Sequence, residues 1–412
     1  MPQFLHGTDL YFIHSKTIKT DSKVYSVVYG ISIYAMTMSE FIKNILLKLV
    51  RKIFSKPWKN LLNNQIRYDT IHINQKNDCC GCSACVAVCN KKCISMTRDE
   101  DGFLYPAVDV GQCVHCGLCQ RVCPMANYQV PKRKPLAFGA INQNDEIRRM
   151  SSSGAVFYLL CEYVIQQNGI VFGAAFDENF DVFHTYSEDL EGCKRFMGAK
   201  YVQSIIGDSY QEVRKFLLEG RIVLFTGTPC QISGLLSYLG NLKDHEKLIT
   251  QDIVCLGAPS PYRWHEFKKR IQGNKEIMSI QFRNKETGWR SGSFVAAFHD
   301  GSEYKEFYAQ TDYMKGFSNG AYTRPSCYEC KFSRLERQSD ITLGDFWGVE
   351  GLYPELYDNK GTSLVLVNSQ KGRQIIKNVS KGLIIKKIRL DYAVKYNPAA
   401  SNREQLFRNC IS

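Results

Sequence analysis

Two cysteine runs with one spacing carry the clearest chemistry in this chain. Cys79, Cys82, Cys85 and Cys89 follow C-x2-C-x2-C-x3-C, and Cys113, Cys116, Cys119 and Cys123 repeat it, with Pro124 next. Thiolates on a tight turn reach neighbouring irons of one cubane. In two-cluster ferredoxins the fourth cysteine, one helical turn on, ligates the other cluster. The spacing therefore assigns one [4Fe–4S] cluster to Cys79, Cys82, Cys85 and Cys123, and a second to Cys113, Cys116, Cys119 and Cys89. A pair of zinc knuckles is the competing reading. It fits poorly, because zinc sites use two cysteine pairs or Cys/His mixtures rather than two identical triplets with a follower. Asn90 replaces the proline expected after Cys89, but that proline shapes backbone and donates no ligand. Cys80 and Cys93 fall outside the register and are expected to be small buried residues or residues beside the ligands.

Four further cysteines lie in Gly/Pro-rich turns or at strand ends: Cys230 in "FTGTPCQISGL", Cys255 in "QDIVCLGAPSP", and Cys327 and Cys330 in "SCYEC". Strand ends of an α/β body are where ligand sites collect. Three readings stand side by side. The four thiols form a third [4Fe–4S] site, or Cys230 acts alone as a flavin-side acid or redox thiol, or all four are simply buried. Cys80, Cys93, Cys161, Cys193 and Cys410 have no assigned role.

Other segments have the look of phosphate or ring binders. "RRMSSSGAVFYLL" puts Ser151, Ser152, Ser153 and Gly154 before a helix start, where free N–H groups bind anions; plain capping is the alternative. In "FTGTPCQ" a buried strand runs into a turn, and Gly227 lets backbone approach a flat ring or phosphate closely. "GAKYVQS" offers Lys200 as a charge for an anionic cofactor, or as a surface lysine. "SDITLGDFWG" sets Asp345, Phe346 and Trp347 in a turn, either walling a planar ligand or packing in the core. No Walker loop or complete G-x-G-x-x-G fingerprint is present.

The elements that must position these residues follow from periodicity. "CISMTRDEDGFLYP" reads as a hairpin turning near Asp101-Gly102. Beyond Pro131, "GIVFGAAF", "RIVLFTG" and "LITQDIVC" read as buried strands. Helical stretches such as Ala155 to Gln167 and Tyr210 to Leu218 lie between them. "SFVAAFHDGSEYKEFY" and "TSLVLVNS" add strands, some antiparallel. The fold class is α+β to α/β: a two-[4Fe–4S] ferredoxin-like module over 71–130, then a mixed α/β body over 131–412. Residues 1–70 are a separate extension. Within it Phe41, Ile42, Ile45, Leu46, Leu49, Val50 and Ile53 recur at helical spacing opposite Lys43, Lys48, Arg51 and Lys52. That is a basic amphipathic helix, packed on protein or lying on an anionic membrane surface.

The 412 residues carry 17 cysteines and a net charge of +13. A disulfide framework is disfavoured by the C-x2-C spacings and by the lack of a standard secretory signal. Reduced, metal-bound cysteines in the cytoplasm fit better. Five of the thirteen excess charges sit between Met38 and Asn60; the rest is spread out, with no nucleic-acid motif.

Beyond these single readings, the double cysteine motif, "MSSSGAVF", "GAKYVQS", "LFTGTPCQISGL", "DIVCLGAPSP", "SCYECKF", "SDITLGDFWG" and "KGTSLVLVN" together resemble the coenzyme F420 hydrogenase/dehydrogenase β-subunit family over roughly residues 75–405. The resemblance implies an iron–sulfur flavoprotein binding FAD near Ser152, Ser153, Gly154, Lys200, Gly227, Thr228 and Pro229, with Cys230 and Lys200 as candidate catalytic groups. Some members use the deazaflavin F420, and many bacterial members lie in surface-polysaccharide gene sets. Leu256 stands where the family often has histidine after the cysteine of "DIVC", so a proton donor is not expected there. The expected function is an oxidoreductase passing electrons from a ferredoxin-type carrier through clusters and FAD to a small organic substrate. A relay subunit without its own substrate, docked on a catalytic partner, is the competing expectation. Peripheral contact with the inner membrane surface through the N-terminal helix is also expected.

Overall fold

A computed structural model describes residues 70–401. The chain divides into two units, Met1–Arg67 and Tyr68–Ser412. The amphipathic helix expected near residues 39–57 lies outside the described residues.

The cysteine-rich segment folds around the expected hairpin. β1 (Ile94–Arg98) pairs antiparallel with β2 (Leu104–Val108). Asp99 Oδ1 accepts from the N–H groups of Asp101 and Phe103, and Gly102 takes φ +82° to close the turn. A side chain there would meet Tyr262 N at 3.0 Å, because the tip docks on the start of the helix Pro261–Gln272. Ser260 Oγ and Tyr262 N both donate to Asp101 O.

The remaining strands are β3 (Leu136–Asn142), β4 (Ile170–Phe176), β5 (Val182–Ser187), β6 (Val223–Gly227), β7 (Leu248–Ile253), β8 (Ile277–Asn284), β9 (Ser293–Phe298), β10 (Glu303–Phe307), β11 (Ile341–Asp345), β12 (Ser363–Val367) and β13 (Leu383–Ile388). Eight of them form one sheet in the order β13-β3-β12-β11-β7-β6-β4-β5. Its centre, β11-β7-β6-β4, is parallel, and both flanks are antiparallel. The central strands read as continuous apolar runs because helices cover both faces. Phe172 and Phe225 point to one face, packing with Tyr210, Ile232 and Leu235 and with Cys82, Val122 and Met125 of the cysteine-rich segment. Val171 and Leu224 point to the other, against Val156, Leu160 and Ile376. β8, β9 and β10 form a separate antiparallel sheet over an aromatic core of Trp264, Phe282, Phe294 and Tyr313.

The expected helices are present as Val156–Ile165 and Ser209–Leu218. The strand read through Cys255 ends at Ile253, so Cys255 lies in the loop that follows. Among the described residues, no helix is long and apolar enough to cross a membrane.

Candidate iron–sulfur and cofactor site

The two cysteine runs adopt one backbone form twice. Gly81 (φ +71°) and Ser83 (φ +60°) are left-handed in the first run, His115 (φ +52°) and Gly117 (φ +69°) in the second. Alternating hands curl each loop so that N–H groups turn inward onto sulfur. Gly81 N donates to Cys79 Sγ at 3.4 Å, and His115 N donates to Cys113 Sγ at 3.4 Å. Each loop then enters a single-turn helix, Ala84–Ala87 or Leu118–Arg121, that carries the third cysteine.

Around the first run, the charged neighbours of Cys85 are led by Cys79 and Cys123. Burial, reinforced by those thiols, pushes Cys85 up to about 12. Such thiols stay protonated without metal, so loading a metal must release protons. Around the second run, a cavity of about 190 Å³ is lined by Cys89, Cys113, Cys116 and Cys119, together with Cys93. Cys89 therefore faces the other run's triplet, and Cys123 faces Cys85 and Cys79. Cys93 Sγ lies 3.4 Å from Cys89 Sγ. Cys80 is buried, and its thiol contacts those of Cys82 and Cys230.

Tetrahedral zinc with bonds of about 2.3 Å needs ligand sulfurs about 3.8 Å apart. Among the described residues, no three cysteine sulfurs lie within 4.8 Å of one another. No described cysteine triplet is therefore spaced for one tetrahedral zinc ion.

Two of the other four thiols, Cys230 and Cys330, pack on the face of the sheet that carries the cysteine-rich segment. Cys230 starts the helix Pro229–Leu239, with its Sγ 3.1 Å from Thr228 Oγ1. Cys230 and Cys330 share the apolar cluster that holds Cys80, Cys82 and Cys123. Gly257 N donates to Cys255 Sγ at 3.3 Å, and the Cys255 loop runs on to Ala258, whose carbonyl accepts from Arg324 N. That places it beside the turn holding Cys327.

The motif serines are used differently from either sequence reading. None caps the following helix, whose N-cap is Ala155 at φ +62°. Ser151 Oγ donates to Ile147 O and Ser153 Oγ to Thr362 O, while Gly154 N donates to Ser363 Oγ. Ser152 Oγ accepts from Ala199 N, joining this loop to "GAKYVQS". That segment runs from Ser152 to the β6 turn. At its far end Ser204 Oγ lies 2.6 Å from His184 Nδ1, and Gln231 Nε2 donates to Ser204 O. Gly227 and Thr228 are likewise engaged with Gln231, in a capping box. Lys200 Nζ donates to Met197 O at 3.0 Å and stands 5.6 Å over the Phe176 ring; burial pulls it down to about 7. No hydrogen bond joins Lys200 to Cys230.

In "DFWG", Phe346 is fully buried and Trp347 stacks on Trp289 at 4.7 Å. Asp345 bonds Arg283 and Trp289 Nε1, while half-buried Trp347 lines a cavity of about 470 Å³ with Arg290, Glu350 and Tyr396. Leu256 is exposed.

Residues that sequence reasoning passed over tie the parts together. Arg324 holds Cys79 O, Leu104 O and Gln203 Oε1. Gln203 Nε2 donates to Cys80 O, so "GAKYVQS" touches the first cysteine run directly. Lys285 Nζ donates to Arg148 O, Ser153 O and Lys360 O, sewing the serine loop shut. The one sequence signal was position: Arg324 stands three residues before Cys327, and Gln203 lies inside a motif.

Residues 220–391 match the family model for the C terminus of the coenzyme F420 hydrogenase/dehydrogenase beta subunit, and residues 78–127 match that of the 4Fe-4S dicluster domain. An uncharacterized ferredoxin of Methanocaldococcus jannaschii is 36% identical over 63 residues, covering 15% of this chain and 80% of that protein. A chain of the xenon-derivatised F420-reducing [NiFe] hydrogenase complex from Methanosarcina barkeri superposes on 68% of this chain and 91% of its own, at 17% identity and a TM-score of 0.47. The chain thus joins a 4Fe-4S dicluster domain to the C-terminal domain of the coenzyme F420 hydrogenase/dehydrogenase beta subunit, a combination with an iron–sulfur electron-transfer role.

Proposed function

We propose that electrons enter at the twin-cysteine module and leave toward an organic substrate through a bound flavin. In this reading Cys113, Cys116, Cys119 and Cys89 hold the outer cluster, and Cys79, Cys82, Cys85 and Cys123 the inner one. Cys230, Cys255, Cys327 and Cys330 hold a third, supported by the packing of Cys230 and Cys330 with Cys80 and Cys123 and by the Arg324–Ala258 bond that brings the Cys255 loop to the Cys327 turn. The donor is a ferredoxin-type carrier or another redox partner. The observation that carries the reading is the bridge from the first cysteine run to the cofactor segment: Cys79 and Cys80 carbonyls to Arg324 and Gln203, then along 198–204 to Ser152.

FAD fits the residues at that segment. Lys200 brings a cationic group beside the Ser152–Ala199 contact, and the helix Val156–Ile165 leaves its first N–H groups without intrahelical partners. Ser153, Gly154, Gly227 and Thr228 shape the backbone around this place, because their polar atoms are bonded within the protein. When bound, the flavin supplies two-electron storage and hydride chemistry, which cubanes alone do not. Lys200 holds negative charge nearby, and Cys230 anchors the β6 turn on the module.

The test is anaerobic purification with reconstitution, then quantification of iron, sulfide and flavin. About one FAD per chain, lost on Lys200→Glu with iron unchanged, supports the reading. A chain that loads its clusters but retains no flavin would overturn the flavin step.

A further inference from the structure

Arg324 is fully buried, yet among the described residues no carboxylate lies within ion-pairing distance of it. Its guanidinium donates to Cys79 O at 2.8 Å, Leu104 O at 2.9 Å and Gln203 Oε1 at 3.2 Å. Its plane lies 4.3 Å from the Tyr105 ring centroid and 5.4 Å from that of Phe103. All of these partners are neutral. A buried cation served only by dipoles is costly unless an opposite charge lies close.

The backbone is cut to let it in. Gly81, between Cys79 and Cys82, is left-handed, and a Cβ there would sit 3.0 Å from Arg324 Nη1 and 3.2 Å from Cζ. The guanidinium therefore rests against the turn of the first cysteine run. The cavity of the second run is lined by other residues, and Arg324 is not among them.

We propose that Arg324 is the counter-charge of the inner cluster and sets the direction of electron flow within the module. The proposal rests on the ligand assignment given above. A cubane held by four thiolates is an anion and gains a further negative charge on reduction, so a fixed cation stabilises the reduced state more. Arg324 thus makes the Cys79 site the better electron acceptor of the pair. One electron leaves the Cys113 site, which is oxidised, and arrives at the Cys79 site, which is reduced. No bond breaks and no proton is consumed.

The test is a potentiometric titration of the reconstituted full-length chain, read by paramagnetic resonance, on wild type, Arg324→Gln and Arg324→Lys. The signal of the Cys113 site is assigned with Cys116→Ser. Arg324→Gln is expected to weaken reduction of the inner cluster at least about tenfold, about 59 mV for one electron. Arg324→Lys should retain most of the wild-type value, and the Cys113 site should not move. If Arg324→Gln fails to load iron, Arg324→Lys decides. Loading with a near-wild-type potential supports the proposal. Failure of both variants, unchanged potentials, or equal shifts at both sites would overturn it. A wild-type chain without two clusters would instead refute the ligand assignment.

Discussion

His184 gives the 198–204 segment a pH-dependent anchor. The ring is buried in β5, stacked on Phe225 with centroids 5.3 Å apart. Nε2 lies 2.9 Å from Thr226 O, which can only accept, so Nε2 carries the proton and Nδ1 accepts from Ser204 Oγ. The neutral ring is thus satisfied on both sides, and burial holds its pKa down from 6.5 to about 4. Above pH 6.5 the ring is neutral folded and unfolded, and pH has no leverage through it. Below that, the unfolded chain takes up the proton first, and stability falls by about 1.4 kcal/mol per pH unit. The loss is complete near pH 4, where the folded ring also charges, and it totals about 3 kcal/mol.

The measurement is the urea midpoint of wild type and His184→Gln, under anaerobic conditions, at about pH 7.5 and about pH 5.5. Glutamine keeps a donor for Thr226 O and does not titrate. Over that interval the wild type should lose about 1.3 kcal/mol more than the variant. A wild-type-minus-variant difference that is flat with pH, or that grows in the wild type's favour on acidification, would refute the buried neutral ring.

Other outcomes follow from close contacts. In Gly234→Ala the new methyl would meet Cys82 Cβ at 2.9 Å, Cys82 Sγ at 3.0 Å and Tyr210 Oη at 2.9 Å. It should cost about 1–3 kcal/mol and reduce loading of the inner cluster, seen as lost visible absorbance, while the Cys113 site stays loaded. Lys285→Met strips a donor from Arg148 O, Ser153 O and Lys360 O, and should lower stability by about 3 kcal/mol, measured by urea unfolding. If the serine loop frames the flavin, the same variant should also lose flavin on gel filtration.

The parts written in local spacing were legible. The hairpin over 94–108, the central strands and the doubled cysteine register need only neighbours in sequence. What escaped the sequence depends on contacts across long separations. Arg324 reaches Cys79 from 245 positions away, and nothing in its own neighbourhood marks it as buried. "SSSG" has the composition of a phosphate loop, yet Thr362 and Ser363 take up its hydrogen bonds from 209 positions on. In "DFWG" the two readings divide between neighbours: Phe346 turns into the core beside Leu356 and Leu364, whereas Trp347 lines a cavity.

The most direct test is metal content on anaerobically reconstituted protein, with Cys230→Ala measured in parallel. Three cubanes give about twelve iron atoms per wild-type chain and no zinc. Cys230→Ala should fall to about eight, with the inner and outer cluster signals kept. A wild-type count near eight, unchanged in Cys230→Ala, would contradict the third site. Stoichiometric zinc in place of iron would contradict the whole electron-transfer account.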